Sequence, residues 1–140
     1  KRFLSIYFIG QFMLQRKNIT ILVVDDSESM RKVLISIIKS FGIDNILEAN
    51  NGIAALNIIK EQELNVILCD WEMPKMNGLE LFIEVKKMRN PPAFVLVTSN
   101  AEMGKVKDAV AKGVKHYIVK PIKPETILKK LSTILPILNY

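Results

Sequence analysis

From Ile19 onward, short continuous apolar runs alternate with stretches in which apolar residues recur every three or four positions. Ile19-Thr20-Ile21-Leu22-Val23-Val24 lacks polar alternation, as a strand buried on both faces does, and it stops at Asp25-Asp26. Met30, Val33, Leu34, Ile37, Ile38 and Phe41 then follow at helical spacing, and Gly42 ends the run. A second strand is expected over Ile46 to Ala49, and a second helix from about Ile53 to Glu61, entered through Asn51-Gly52. Val66-Ile67-Leu68-Cys69 predicts a third strand ending at Asp70. Leu81, Phe82, Val85 and Met88 mark a third helix bounded by Pro91-Pro92. Phe94-Val95-Leu96-Val97 runs to Thr98 as the fourth strand, and Val106, Ala109 and Val110 predict a shorter helix stopped at Gly113. Tyr117-Ile118-Val119 predicts a fifth strand ending at Lys120-Pro121. Ile127, Leu128, Leu131, Ile134 and Leu135 line a last helix, which Pro136 ends or kinks.

Five strands alternating with five helices predict an α/β fold, a doubly wound five-stranded parallel sheet with helices on both faces. In such sheets ligands bind beyond the carboxyl ends of the strands. The polar residues expected there are Asp25, Asp26, Asp70, Thr98 and Lys120.

Composition narrows the class. A chain of 140 residues that is 49% hydrophobic and 24% charged buries one core, which excludes disorder and fibrous repeats. A single cysteine, Cys69, and a single histidine, His116, exclude a disulfide framework and a Cys/His metal site. The net charge of +6 is unevenly placed. Residues 1–18 carry four basic and no acidic side chains, residues 19–100 carry eight basic and eleven acidic, and residues 101–140 carry eight basic and three acidic. No nucleic-acid-reading motif accompanies the basic end, so nucleic acid is not an expected partner.

Three carboxylates converging at one sheet edge repel one another and call for a cation. Hard oxygen ligands in an incomplete cage point to Mg²⁺, which keeps several waters and accepts a phosphate oxygen. One carboxylate is then placed to attack phosphorus and form an aspartyl-phosphate. Lys120 would supply a second positive charge, the Thr98 hydroxyl a hydrogen bond, and the helix after Asp26 its positive dipole end. Taken singly, an Asp pair after a strand is an ordinary helix cap, Thr98 an ordinary strand-end hydroxyl and Lys120 a solvated charge. Their joint appearance at the ends of strands one, three, four and five is what carries the signal.

From about Ile19 to Leu135 the sequence resembles the response-regulator receiver domain, and in particular the single-domain chemotaxis regulators of that family. The resemblance rests on Leu22-Val23-Val24-Asp25-Asp26, Asp70-Trp71-Glu72-Met73-Pro74-Lys75-Met76-Asn77-Gly78, Val97-Thr98-Ser99 and Tyr117-Ile118-Val119-Lys120-Pro121. It implies a flavodoxin-like sheet in the order 2-1-3-4-5. It also implies Asp70 as phosphoacceptor for a histidine kinase, with Mg²⁺ held by Asp26, Asp70 and the Glu72 backbone carbonyl and with Asp25 acting mainly through water. Thr98 and Tyr117 would form a switch pair, Lys120 would contact the phosphoryl group, and the Lys120-Pro121 bond would be cis. Glu72 adds a fourth carboxylate at the rim, and Ser99 and Asn100 follow Thr98. In the family, the positions of Glu72 and Asn100 tune hydrolysis of the phosphoryl group. The implied function is cytoplasmic two-component signalling, with chemotaxis the closest match, by a domain that catalyses only its own phosphorylation and dephosphorylation. The lysine-rich end would meet an acidic target such as a flagellar motor switch protein. A stand-alone phosphorelay intermediate is the alternative on the same fold.

Other classes fit less well. A small Mg²⁺-dependent phosphatase of the aspartyl-nucleophile type needs Asp-x-Asp after the first strand, where this chain has Asp25-Asp26-Ser27. A Rossmann nucleotide site needs a glycine-rich first loop, and Asp26-Ser27-Glu28-Ser29-Met30 has no glycine. A DNA-binding regulator would continue into an output domain after Tyr140. Residues 1–18 form an extension before the 19–140 domain. Its apolar stretch Phe3–Leu14 is shorter than the ~20 residues a membrane span needs, and Met13 is a candidate natural start. It is expected to pack on its own domain or on a second copy, in an otherwise monomeric protein. Cys69 reads as a buried strand residue, His116 as a solvated loop residue before the fifth strand, and Met30, Met73, Met76 and Met88 as packing or loop residues.

Overall fold

The computed structural model describes residues 15–99 and 103–139, together with Ile6 and Gly10. Its elements are β1 (Thr20–Val24), α1 (Glu28–Ser40), β2 (Asn45–Ala49), α2 (Gly52–Glu61), β3 (Val66–Asp70), α3 (Gly78–Val85), β4 (Ala93–Thr98), α4 (Met103–Ala111), β5 (His116–Val119) and α5 (Pro124–Ile134), then a 3₁₀ turn at Pro136–Asn139. All strand pairs are parallel, and the order is β2-β1-β3-β4-β5, as the resemblance implies. Gln15, Arg16 and Lys17 are helical, which adds a helix ahead of β1 to the five expected.

Apolar residues on both faces of each inner strand divide the core in two. On one face Leu22, Val24, Ile67, Cys69 and Leu96 pack against Ala55 and Ile59 of α2, Leu81 and Val85 of α3, and Ala109 of α4. On the other, Ile21, Val23, Val66, Leu68 and Ile118 meet Leu34 and Ile38 of α1 and Ile127 and Leu131 of α5. Alternate residues of one strand feed opposite layers, which requires continuous apolar runs rather than alternating ones. β3 is buried along its whole length.

The helix boundaries follow local chemistry. Ser27 caps α1 by accepting from the Met30 amide, Asn51 caps α2 by accepting from Ala54, and Asn77 with Glu80 forms a reciprocal capping box at α3. Gly42 (φ 84°) lets the chain reverse after α1. α3 stops at Val85, short of Met88, because the chain tightens there into turns in which the Met88 amide donates to the Val85 carbonyl. Met88 still packs on the core, which is why its apolar spacing reads as helix. His116 is a second correction: it is the first residue of β5, paired with Val95 and half-buried, not a solvated loop residue.

Candidate functional site

β1 and β3 are central neighbours, and their carboxyl ends bring three acids together. Asp25, Asp26 and Asp70 each offer a carboxylate oxygen within 4.8 Å of the others. Asp25 and Asp70 are buried and Asp26 is exposed. β5 ends beside them, and Lys120 Nζ lies 3.1 Å from Asp70 Oδ1. The Lys120 amide donates to the Thr98 carbonyl at 2.7 Å, and the Trp71 amide donates to the Val97 carbonyl at 2.9 Å, so the ends of β3, β4 and β5 are tied together. The Lys120-Pro121 peptide is cis.

Burial pushes the Asp25 carboxyl up from its ordinary range, and neighbouring Asp26 adds to the rise. The Ser27 amide, which donates to Asp25 Oδ1 at 2.9 Å, and the Lys120 charge oppose it. A second cation in this pocket would relieve the same repulsion. Buried carboxylates with too few protein charges to balance them match what a hard divalent ion requires, so the residues present fit Mg²⁺.

The 71–77 loop closes one side. Its Met76 amide donates to the Pro74 carbonyl at 2.8 Å around Lys75, whose φ is 70°, a three-residue turn that bulky residues seldom adopt. Trp71 is buried in the core beneath the loop, and Gly78 donates its amide to the Trp71 carbonyl at 2.8 Å. Glu72 is exposed and lines an open recess with Asp26, Asn77 and Lys105. No sequence signal singles out Lys105, because nothing in the α4 periodicity distinguishes a lysine facing the recess from one facing solvent.

The expected switch pair is split between interior and surface. Thr98 is fully buried, with its hydroxyl donating to the Ser99 carbonyl at 3.3 Å. The Tyr117 ring is exposed on β5, with Lys130 Nζ 5.9 Å from its centroid. Asn100 lies outside the described residues. Cys69 is fully buried, and burial together with Asp70 and Asp25 drives its thiol well above the ordinary range, so it is an inert packing residue.

Burial, then the charges of Lys130 and Lys115, lower the His116 imidazole from its ordinary value. The folded state therefore resists a proton that the unfolded chain accepts near pH ~6.5. Stability is full above that pH and falls as pH drops through it towards the folded-state value. As the only histidine, His116 has an unambiguous ring resonance. Its NMR titration midpoint should lie below that of a histidine peptide, and His116→Gln should flatten thermal stability against pH in that window. A midpoint at or above the peptide value would show that the two lysines and burial are screened out.

The chain belongs to the response regulator receiver domain family, whose model matches residues 21–132. It is 39% identical over 119 residues to the "Chemotaxis protein CheY homolog" of Campylobacter jejuni strain 81-176, a match covering 82% of this chain and 91% of the relative. Among solved structures, the two component transcriptional regulator AraC from Clostridium phytofermentans superposes with a TM-score of 0.76 at 29% identity, covering 87% of this chain and 96% of that one. The chemotaxis protein CheY4 of Vibrio cholerae superposes with a TM-score of 0.74 at 30% identity, covering 84% and 98%. The protein is thus a receiver-domain signalling protein. Among the described residues no helix is long and apolar enough to cross a membrane.

Proposed function

We propose that the protein is a single-domain response regulator that takes a phosphoryl group from a histidine kinase onto Asp70 and signals through a phosphorylation-dependent surface in chemotaxis. The observation that carries this reading is the buried Asp70 carboxylate, held 3.1 Å from Lys120 Nζ and beside two further acids. An Asp70 oxygen attacks phosphorus, the bond from phosphorus to the donor imidazole nitrogen breaks, and the electron pair leaves with the imidazole. Asp26, Asp70 and the Glu72 carbonyl would hold Mg²⁺, with Asp25 behind them; when bound, the ion offsets the negative charge of the transferred oxygens. Lys120 neutralises one of those oxygens, and Thr98 turns its hydroxyl from Ser99 to another. The only reactions the domain catalyses are its own phosphorylation and dephosphorylation, with Glu72 and Asn100 setting how readily water approaches.

Output follows from the movement of Thr98. Drawn towards the phosphoryl group, it vacates space beside β5, and Tyr117 turns inward. Such a small shift signals only if a partner prefers one state. The surface it alters is α4, β5 and α5, where Lys105, Lys115, Lys123 and Lys129 are exposed. An acidic segment such as that of a flagellar motor switch protein fits this charge, and the 39% identity to a chemotaxis protein favours that partner. Titration of a motor-switch peptide should show affinity about tenfold higher for the phosphorylated protein, weakening with salt because exposed charge pairs are screened. Equal affinity in both states would refute the switch, and salt-independent affinity would refute the lysine face.

A further inference from the structure

We propose that Arg31 is a positioning residue for the acid pocket: anchored on Glu48 of β2, its guanidinium holds the peptide that joins Asp25 to Asp26. This deepens the metal-assisted reading above and rests on it. Arg31 lies early in α1, where the helix dipole disfavours a cation, so its place there needs another reason. Its side chain is only 15% exposed. Nη1 donates to the Asp25 carbonyl at 2.7 Å, and Nε donates to Glu48 Oε1 at 3.0 Å. One rigid planar group thus bridges the edge strand and the turn after β1, through N–H groups that point in different directions, which a single lysine ammonium on a flexible stem does not reproduce.

The grip falls at an informative point. The Asp25 amide donates to the Ala49 carbonyl at 3.1 Å, and Asp25 Oδ1 accepts from Ser27 at 2.9 Å. With Arg31 on its carbonyl, Asp25 is fixed through its N–H, its C=O and one carboxylate oxygen. The Asp25–Asp26 peptide is planar, so fixing its carbonyl also fixes the direction in which Asp26 leaves. The relative placement of the two carboxylates therefore depends on a side chain that touches neither.

Geometry and charge act here in opposite directions. A guanidinium near the pocket repels a divalent cation, whereas a fixed ligand pair favours one. Glu48 pairs with Arg31 and offsets its charge, which leaves the geometric effect dominant.

The test is a Mg²⁺ titration of the unphosphorylated protein, read by the fluorescence of Trp71, the only tryptophan. Hydrogen exchange of the Ser27 amide in metal-free protein is a second readout. Asp26→Ala should abolish the fluorescence response and so marks it as pocket binding. Arg31→Met should weaken Mg²⁺ about tenfold, Arg31→Lys should recover little of the loss despite keeping the charge, and Glu48→Gln should weaken it less than Arg31→Met. Ser27 exchange should speed up in Arg31→Met while the protein stays folded. Unchanged or tighter Mg²⁺ binding in Arg31→Met, or full recovery by lysine, would overturn the proposal. If the parent itself gave no response to Mg²⁺, the metal reading would fall instead. Ser27 exchange would still decide on Arg31, because an unchanged rate in Arg31→Met would overturn the positioning role.

Discussion

Asp70→Asn is expected to abolish phosphoryl uptake. Incubated with acetyl phosphate and Mg²⁺, the parent should gain the mass of one phosphoryl group, and the variant should gain none. The amide has nearly the shape of the carboxylate but not its nucleophilic oxygen, so the attack on phosphorus and the departure of acetate both fail. The fold should persist, because the substitution acts on the site in two opposing ways. Lys120, 3.1 Å away, loses a charged partner, while Asp25 and Asp26 lose a like-charged neighbour. Neither remaining aspartate substitutes well: Asp25 is buried with Oδ1 committed to the Ser27 amide, and Asp26 lies exposed at the pocket edge. Labelling of the variant as complete as that of the parent would move the phosphoacceptor elsewhere.

That the strand ends carrying Asp70, Thr98 and Lys120 share one sheet edge was legible from the pattern, and their adjacency from the strand order that the resemblance implies. Each ends a continuous apolar run, and parallel strands all end on one edge. The two-layer core was legible for the same reason: a run such as Ile67-Leu68-Cys69 has no polar face to leave in solvent. Contacts that depend on how a particular helix is rotated were not legible. Arg31 could be placed on α1 from periodicity, but its reach to Glu48 and to the Asp25 carbonyl depends on how α1 lies over β2. The turn at Lys75 was hidden because no glycine marks the positive φ there. The strand position of His116 was hidden because a lone polar residue between Lys115 and Tyr117 has no periodicity, and only pairing with Val95 places it in β5.

Gly78→Ala is expected to destabilise the protein by about 2 kcal/mol, the cost of forcing a methyl group into a filled site. Gly78 opens α3, and its φ is not in the left-handed region, so its constraint is space rather than conformation. A methyl group there would press on the Asp70 carbonyl and lie 2.8 Å from Leu96 Cδ1 and 3.0 Å from Trp71 Cα. Two of those three atoms belong to the backbone at the end of β3 and cannot rotate away. Without that crowding the substitution would help, since alanine replacing glycine at a compatible site stabilises by about 0.4–1 kcal/mol through the unfolded chain. The sign therefore discriminates between the two. Gly104 lies within α4, and among the described residues no atom beyond its chain neighbours and its own helix backbone comes within 4 Å of where a methyl group would go, so Gly104→Ala should be neutral or stabilising. Thermal unfolding should show Gly78→Ala lowered by several degrees and Gly104→Ala unchanged or raised. Because the clash falls on Asp70 itself, Gly78→Ala should also slow labelling by acetyl phosphate at temperatures where it remains folded, by moving the carboxylate relative to Lys120. A Gly78→Ala protein as stable and as quickly labelled as the parent would show that the loop yields, and that Gly78 does not hold the phosphoacceptor in place.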